Sequence, residues 1–276
     1  MTFRPTIPLG GVAGWSFLKR TLTTQKAVHA ASSQLDRETT YFREKIGTVR
    51  TAADLVADRT LLKVSLGAFG LQDDLPNRYF IQKVLEGGVL DADSLANKLS
   101  DPRYAALTKA FGFGDYSVPR TVLSTFPDEI VSAYRDKDFE VAVGTVDETL
   151  RLALALDGEL GRLTDRTSSA DARWFGVMGS APLREVFETA LGLPETFASL
   201  DIDQQLGVFR QRAEQVFGVS EVGDFSDPAM TERLRTRFLV LAEAGNGSSA
   251  VASSPALTLL SGSGSASSLL SVLYRS

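Results

Sequence analysis

Residues 61–71 read LLKVSLGAFGL and residues 183–193 read LREVFETALGL, and these two stretches decide the fold. Leu61, Val64, Ala68 and Leu71 recur every three or four positions, which puts them on one stripe of a helix. Leu183, Val186, Ala190 and Leu193 repeat the pattern 122 positions later. Gly70 and Gly192 stand where each helix should end in the left-handed conformation, which glycine enters without steric cost. The leucine after each glycine can fold back onto the last turn, the apolar half of a Schellman stop. Two helices of one design, each with its own stop, predict an all-α chain with an internally duplicated unit.

A second echo follows each copy. Ser100-Asp101-Pro102 and Ser226-Asp227-Pro228 both set an Asp cap before a proline at the first helical position, where the missing N–H costs nothing. Tyr104, Leu107 and Phe111 then match Met230, Leu234 and Phe238 in character, although the spacing has grown from 122 to 126. If these helices are repeat positions, each should pack with its preceding glycine-ended helix as an equivalent pair.

Outward from these segments, helical punctuation is nearly continuous. Leu18, Leu22, Leu35, Phe42 and Ile46 mark the apolar faces of one or two helices after Trp15. Thr51-Ala-Ala-Asp54 has the form of a capping box, Asp58 is the next cap, and a helix opened by Pro76 should stop at Gly87-Gly88. Asp91 or Asp93 can cap the segment through Leu95 and Leu99. After a Gly-, Tyr- and Pro-rich loop at 112–120, a long helical stretch runs from Pro127 to about Leu163, with Gly144 and Gly158 as weak points. Helices at roughly 170–178, 182–191, 201–217 and 228–244 complete the array. The expected organisation is an extended segment at 1–14, a multihelical domain at 15–245 with related units near 51–113 and 171–244, and a Ser/Gly-rich tail at 246–276.

The tail is broken by two apolar runs, one carrying Leu257, Leu259 and Leu260, the other Leu269, Leu270, Val272, Leu273 and Tyr274. A plain flexible linker would not carry them. They either dock on the helical body or serve a protein partner by helix-in-groove packing or strand addition.

Residues suited to catalysis are sparse. The chain has no cysteine, which excludes disulfides and thiolate chemistry within it, and a single histidine, His29, which offers no second ligand for a metal pair. The carboxylate pairs Asp73/Asp74, Asp91/Asp93 and Asp201/Asp203 sit near helix starts, where acids cap free N–H groups. Leu9-Gly-Gly-Val-Ala-Gly14 follows no strand and has no lysine, so it is neither a dinucleotide turn nor a phosphate loop. No cofactor or metal is expected.

A net charge of −5 argues against a nucleic-acid partner. Arg233, Arg235 and Arg237, with Arg210 and Arg212 upstream, read as solvated helix faces, because Glu214 and Glu232 interrupt the sign. The first residues lack the charged and apolar blocks of a secretory signal, and no stretch approaches the ~20 apolar residues of a membrane span.

Thr40-Tyr-Phe-Arg-Glu-Lys-Ile46, Thr51-Ala-Ala-Asp-Leu-Val-Ala-Asp-Arg-Thr-Leu-Leu62 and Leu66-Gly-Ala-Phe-Gly-Leu71 resemble a family of helical alphaproteobacterial proteins. Ser100-Asp-Pro-Arg-Tyr-Ala-Ala-Leu107 and Lys109-Ala-Phe-Gly-Phe113 continue the likeness, which runs from about Trp15 to Gly245, is densest through Phe113, and leaves the tail outside. The family is a domain of unknown function whose genes often lie in flagellar clusters. It has no established catalytic residues to carry over. The resemblance implies a multihelical array and a flagellar association.

The leading expectation is a non-enzymatic, flagellum-associated structural, assembly or export-related protein acting through helix-mediated contacts. It would be cytoplasmic, or exported without a cleaved signal. The competing expectations are a cytoplasmic adaptor or regulator that takes a protein or small ligand between its helices, and an unrecognised enzyme built on carboxylates, Lys, Ser or Tyr.

Overall fold

The computed structural model describes residues 3–99, 101–166 and 169–252. Among them are thirteen α-helices and no strand. In chain order these are α1 (Gly11–Ala30), α2 (Ser33–Lys45), α3 (Ala52–Ala57), α4 (Arg59–Ala68), α5 (Arg78–Glu86), α6 (Leu95–Lys98), α7 (Pro102–Phe111), α8 (Phe126–Gly144), α9 (Glu148–Arg166), α10 (Ala170–Gly179), α11 (Ala181–Leu191), α12 (Ile202–Phe217) and α13 (Pro228–Ala252).

The paired helices stop as their glycines require. Gly70 and Gly192 hold φ of 72° and 65°. Leu71 N–H donates to the Leu66 carbonyl and Gly70 N–H to Gly67; Leu193 N–H donates to Glu188 and Gly192 N–H to Thr189, at 2.9–3.1 Å. Both sets are the two reverse bonds of a Schellman stop. The caps also form. Thr51 and Asp54 exchange both bonds of a capping box, and Asp58, Asp101, Asp201 and Asp227 each accept backbone N–H groups at a helix start. Ser94, not Asp91 or Asp93, precedes α6; Asp91 instead accepts the Asp93 N–H within the turn.

The expected equivalence of the two glycine-ended helices with their Asp-Pro helices does not hold, although the packing partners of α4 and α11 correspond in order. Helix α4 lies against α8, α2 and α3, and α11 lies against α13, α9 and α10. Likewise α2 touches α8 as α9 touches α13, and α3 touches α5 as α10 touches α12. The counterpart of α13 is therefore α8, not α7. The Asp101-Pro102 helix packs on α5 and α6, with Arg103 reaching back to the Gly70 carbonyl, whereas the Asp227-Pro228 helix lies along α11. An Asp-Pro pair is a general way to start a helix, so it recurs without marking a repeat position. Helices α6 and α7 are additional to the first copy.

Helix α5 begins at Arg78, two residues after Pro76, and element bounds differ in three further places. Helix α1 begins at Gly11, four residues early, because Gly10-Gly11 makes the turn that sends residues 3–10 back along it, where Thr6 exchanges two bonds with Gln25 at 2.8 and 3.1 Å. Gly144 ends α8, but α9 runs unbroken through Gly158, carried by a buried stripe of Leu152, Ala155, Leu156 and Leu160. Helix α13 continues past Gly245 to Ala252. The tail residues from 253 onward, with both apolar runs, lie outside the described residues.

Two cores share α8. Its first half puts Phe126, Ile130, Val131 and Tyr134 into a core built from α2–α5 and α7, together with Leu61, Leu62, Val64 and Leu66. Its last turns put Phe139 and Val143 into a second core with Leu183, Phe187, Phe209, Leu234 and Phe238, which also takes Trp15 and Leu18 of α1. Helices α4 and α8 approach closely at Gly67, where a Cβ would fall 2.5 Å from the Tyr134 ring.

Gly70→Val and Gly192→Val should each lower stability by at least about 1–2 kcal/mol, the cost of forcing an L-residue into the left-handed region. A Cβ at either site would meet its nearest neighbour at ordinary contact distance, 3.5 and 3.7 Å, so the loss is conformational. Gly207→Ala, inside α12 with open space around it, should instead gain roughly 0.5–1 kcal/mol. Urea unfolding of the three variants checks both signs.

Candidate protein-contact surface and interhelical cleft

The residues between α7 and α8 form a loop held at two points. Gly112 ends α7 with φ of 68°, and Asp115 accepts the N–H groups of Val89 and Leu90 at 2.8 and 3.0 Å, tying the loop to the turn after α5. Further on, buried Thr121 donates its hydroxyl to the Val49 carbonyl at 2.7 Å. Around these anchors Tyr116, Val118, Val122 and Leu123 are 53, 61, 38 and 48% exposed. They line an open groove of about 770 Å³ with Arg120, whose Nε is buried without a hydrogen-bond partner. Single exposed apolar residues are ordinary, but several on one anchored loop beside an arginine form the kind of surface proteins use for one another. The sequence marked this loop only by its glycines, tyrosine and proline; its exposure depends on which neighbouring helices fail to cover it.

A second concavity, of about 460 Å³, opens between α1, α2 and α8. Charged groups line it. Lys26 pairs with Asp136 at 2.7 Å and Arg43 with Asp128 at 2.8 Å, while Arg135 donates to buried Thr39 at 3.1 Å.

The sequence-selected polar groups mostly serve the fold. His29 is buried against Phe3 and Phe139, with Nε2 2.8 Å from Asp138. Asp74 accepts the Tyr104 hydroxyl at 2.5 Å, and burial together with that carboxylate pushes the tyrosine up to about 12. The glycines of Leu9–Gly14 form the fold-back turn, with Gly14 packed directly on the Leu9 carbonyl.

The arginines require a correction. Arg235 is 4% exposed, not solvated: Nε donates to the Ala153 carbonyl at 3.0 Å, Nη2 to Asp157 at 2.7 Å, Nη1 pairs with Glu232, and the guanidinium lies 4.8 Å over the Trp15 ring. Arg212 and Arg237 donate to the Leu191 and Ala190 carbonyls at the end of α11, and Arg210 pairs with Asp171. Alternation of sign along the sequence does not reveal which charges share a helix face with Leu234 and Phe238. The structural-motif residues sit at the two stops and two helix starts, in the separate cores, and do not converge on one site.

The first copy has its own buried polar junction. Glu38 on α2 accepts Lys63 of α4 at 2.5 Å and the Tyr134 hydroxyl of α8 at 2.7 Å. Burial works to raise the Glu38 carboxyl, but the bonds from Lys63, Tyr134 and Gln34 outweigh it and hold the group below its ordinary value. Burial and the same carboxylate push the Tyr134 phenol well up, so it remains a donor.

The family described as "Protein of unknown function (DUF1217)" matches residues 68–231, from the end of α4 to the first turn of α13. The Thr40–Leu62 stretch precedes the matched residues. A crystal structure of a protein from Agrobacterium tumefaciens, determined by a structural genomics consortium, is similar over 88% of this chain and 99% of its own, with 25% identity and a TM-score of 0.70. No curated protein matches the chain. No helix among the described residues is long and apolar enough to cross a membrane.

The Glu38 junction generates an acid-stability prediction. Its folded value is depressed, so its contribution is complete above the ordinary value of 4.5 and is lost as pH falls below it. Thermal melting followed from about pH 7 down to about pH 3 should show Glu38→Gln less stable at the neutral end and shallower on the acid limb than the parent.

Proposed function

The chain belongs to the DUF1217 family of proteins of unknown function, and on that premise we propose that it is a non-enzymatic protein-contact component of the bacterial flagellar system, acting in structure, assembly or export. The observation that carries the contact reading is the anchored loop with Tyr116, Val118, Val122 and Leu123 turned to solvent beside Arg120. Tyrosine and arginine concentrate binding energy when a partner covers them, and a loop fixed before binding loses little entropy on association. The flagellar assignment rests on the family resemblance in residues 40–113. The Ser/Gly tail with its apolar runs adds a second segment suited to a protein partner, and flagellar export requires no cleaved signal.

A second reading is favoured by the charged cleft between α1, α2 and α8: an adaptor or regulator that takes a small ligand between helices.

A clean deletion tests the leading reading. It should reduce swimming or alter filaments, and the intact gene should restore both. The double variant Val118→Asp/Leu123→Asp should melt like the parent, because both side chains are exposed, yet fail to restore swimming. Full motility of the deletion strain would refute the flagellar role; full rescue by the double variant would refute the role of the loop.

A further inference from the structure

The cleft between α1, α2 and α8 contains a cation that the protein's own carboxylates leave over. Three positive side chains line it, Lys26, Arg43 and Arg135, against two acids, Asp128 and Asp136. The acids are already engaged: Asp136 with Lys26, Asp128 with Arg43. Arg135 has one side-chain partner among the described residues, the neutral hydroxyl of Thr39, and its Nε is buried with no acceptor. A guanidinium offers five N–H donors in a planar fork that matches two oxygens of one carboxylate or phosphate. Arg135 lines the cleft with no carboxylate partner among the described residues, so its guanidinium is the cation an incoming anion would pair with.

The surroundings suit a small acceptor. The opening, about 460 Å³, lies within the roughly 300–1,000 Å³ of small-ligand sites. Asp128 and Asp136 are well exposed, so water screens their repulsion of an incoming anion. Ser132, one turn before Arg135 on α8, adds a hydroxyl on the same wall.

We propose that this cleft is a binding site for a small oxyanion, a molecule bearing a carboxylate or phosphate, with Arg135 as the bidentate anchor and Lys26 and Arg43 at the rim. The inference deepens the small-ligand reading and is independent of the flagellar one. Because α1 contributes to the second core and α2 to the first, an occupant of this cleft would bridge helices that belong to different cores.

Calorimetric titration of the full chain at low ionic strength, with sodium phosphate in one arm and sodium citrate in the other, tests it. Saturable binding is expected in at least one arm, weakening as salt is added. Arg135→Gln should weaken it roughly tenfold or more. As Arg135→Gln also removes the bond to Thr39, Ser132→Glu gives a second test: it sets a carboxylate one turn from Arg135, should keep the parent circular dichroism, and should abolish binding. No saturable heat in either arm, or parental affinity in both variants, overturns the proposal. Motility does not enter this test, so its failure leaves the flagellar reading standing.

Discussion

Helix α8 has to serve two hydrophobic cores in succession, and the rest of the molecule is arranged around that requirement. Phe126, Ile130, Val131 and Tyr134 face the first core, while Phe139 and Val143 face the second. Between them the helix carries four charged residues in a row, Arg135-Asp136-Lys137-Asp138, of which Asp136 is exposed and the others half-buried. Each has a partner: Arg135 has Thr39 on α2, Asp136 has Lys26 and Asp138 has His29 on α1, and Lys137 has Glu140 within α8 and Glu159 on α9. The polar belt allows one continuous helix to pass from one apolar environment to the other with its backbone bonds intact.

The two sets of helices, α2–α5 with α8 and α9–α13, pack in a corresponding order. In each copy the last long helix is covered by a helix from outside the copy: α9 lies on α8, and α1 lies on α13. Polar junctions bind the long helices together, Glu38–Lys63–Tyr134 across α2, α4 and α8, and Arg235–Asp157–Glu232 with Trp15 across α13, α9 and α1. The copies differ most between their fourth helix and their last. The second goes from α12 to α13 through one short turn at Val222–Ser226, whereas the first inserts α6, α7 and the loop that exposes Tyr116, Val118 and Leu123. The contact surface proposed for function thus belongs to the part of the molecule that the repeat does not dictate.

How far this could be seen in the sequence depends on the range of the physics involved. Helix stops and caps are local: a glycine must take positive φ at Gly70 and Gly192, and Asp58 or Asp201 must satisfy free N–H groups within three residues, so these were legible. The repeat was legible only at α4 and α11, because their buried stripes are packing constraints, whereas the Asp-Pro echo reflected helix-start chemistry shared by α7 and α13. Gly158 does not weaken its helix, because its propensity cost is about 1 kcal/mol and the apolar stripe of α9 outweighs it. The burial of Arg235 has no local signature, because two of its partners, Ala153 and Asp157, are distant in sequence. Neither the exposed loop nor the Arg135 cleft has a local signature, since each is defined by which helices meet there.

Equilibrium unfolding in denaturant, followed at once by tryptophan fluorescence and far-ultraviolet circular dichroism, tests the coupling of the two cores through α8 most directly. Both tryptophans, Trp15 and Trp174, lie in the second core, so fluorescence reports on that core alone while dichroism reports on all the helices. If α8 makes the cores one cooperative unit, the two signals will fall on a single curve with one midpoint. Two separated transitions, with fluorescence following only one of them, would contradict the account.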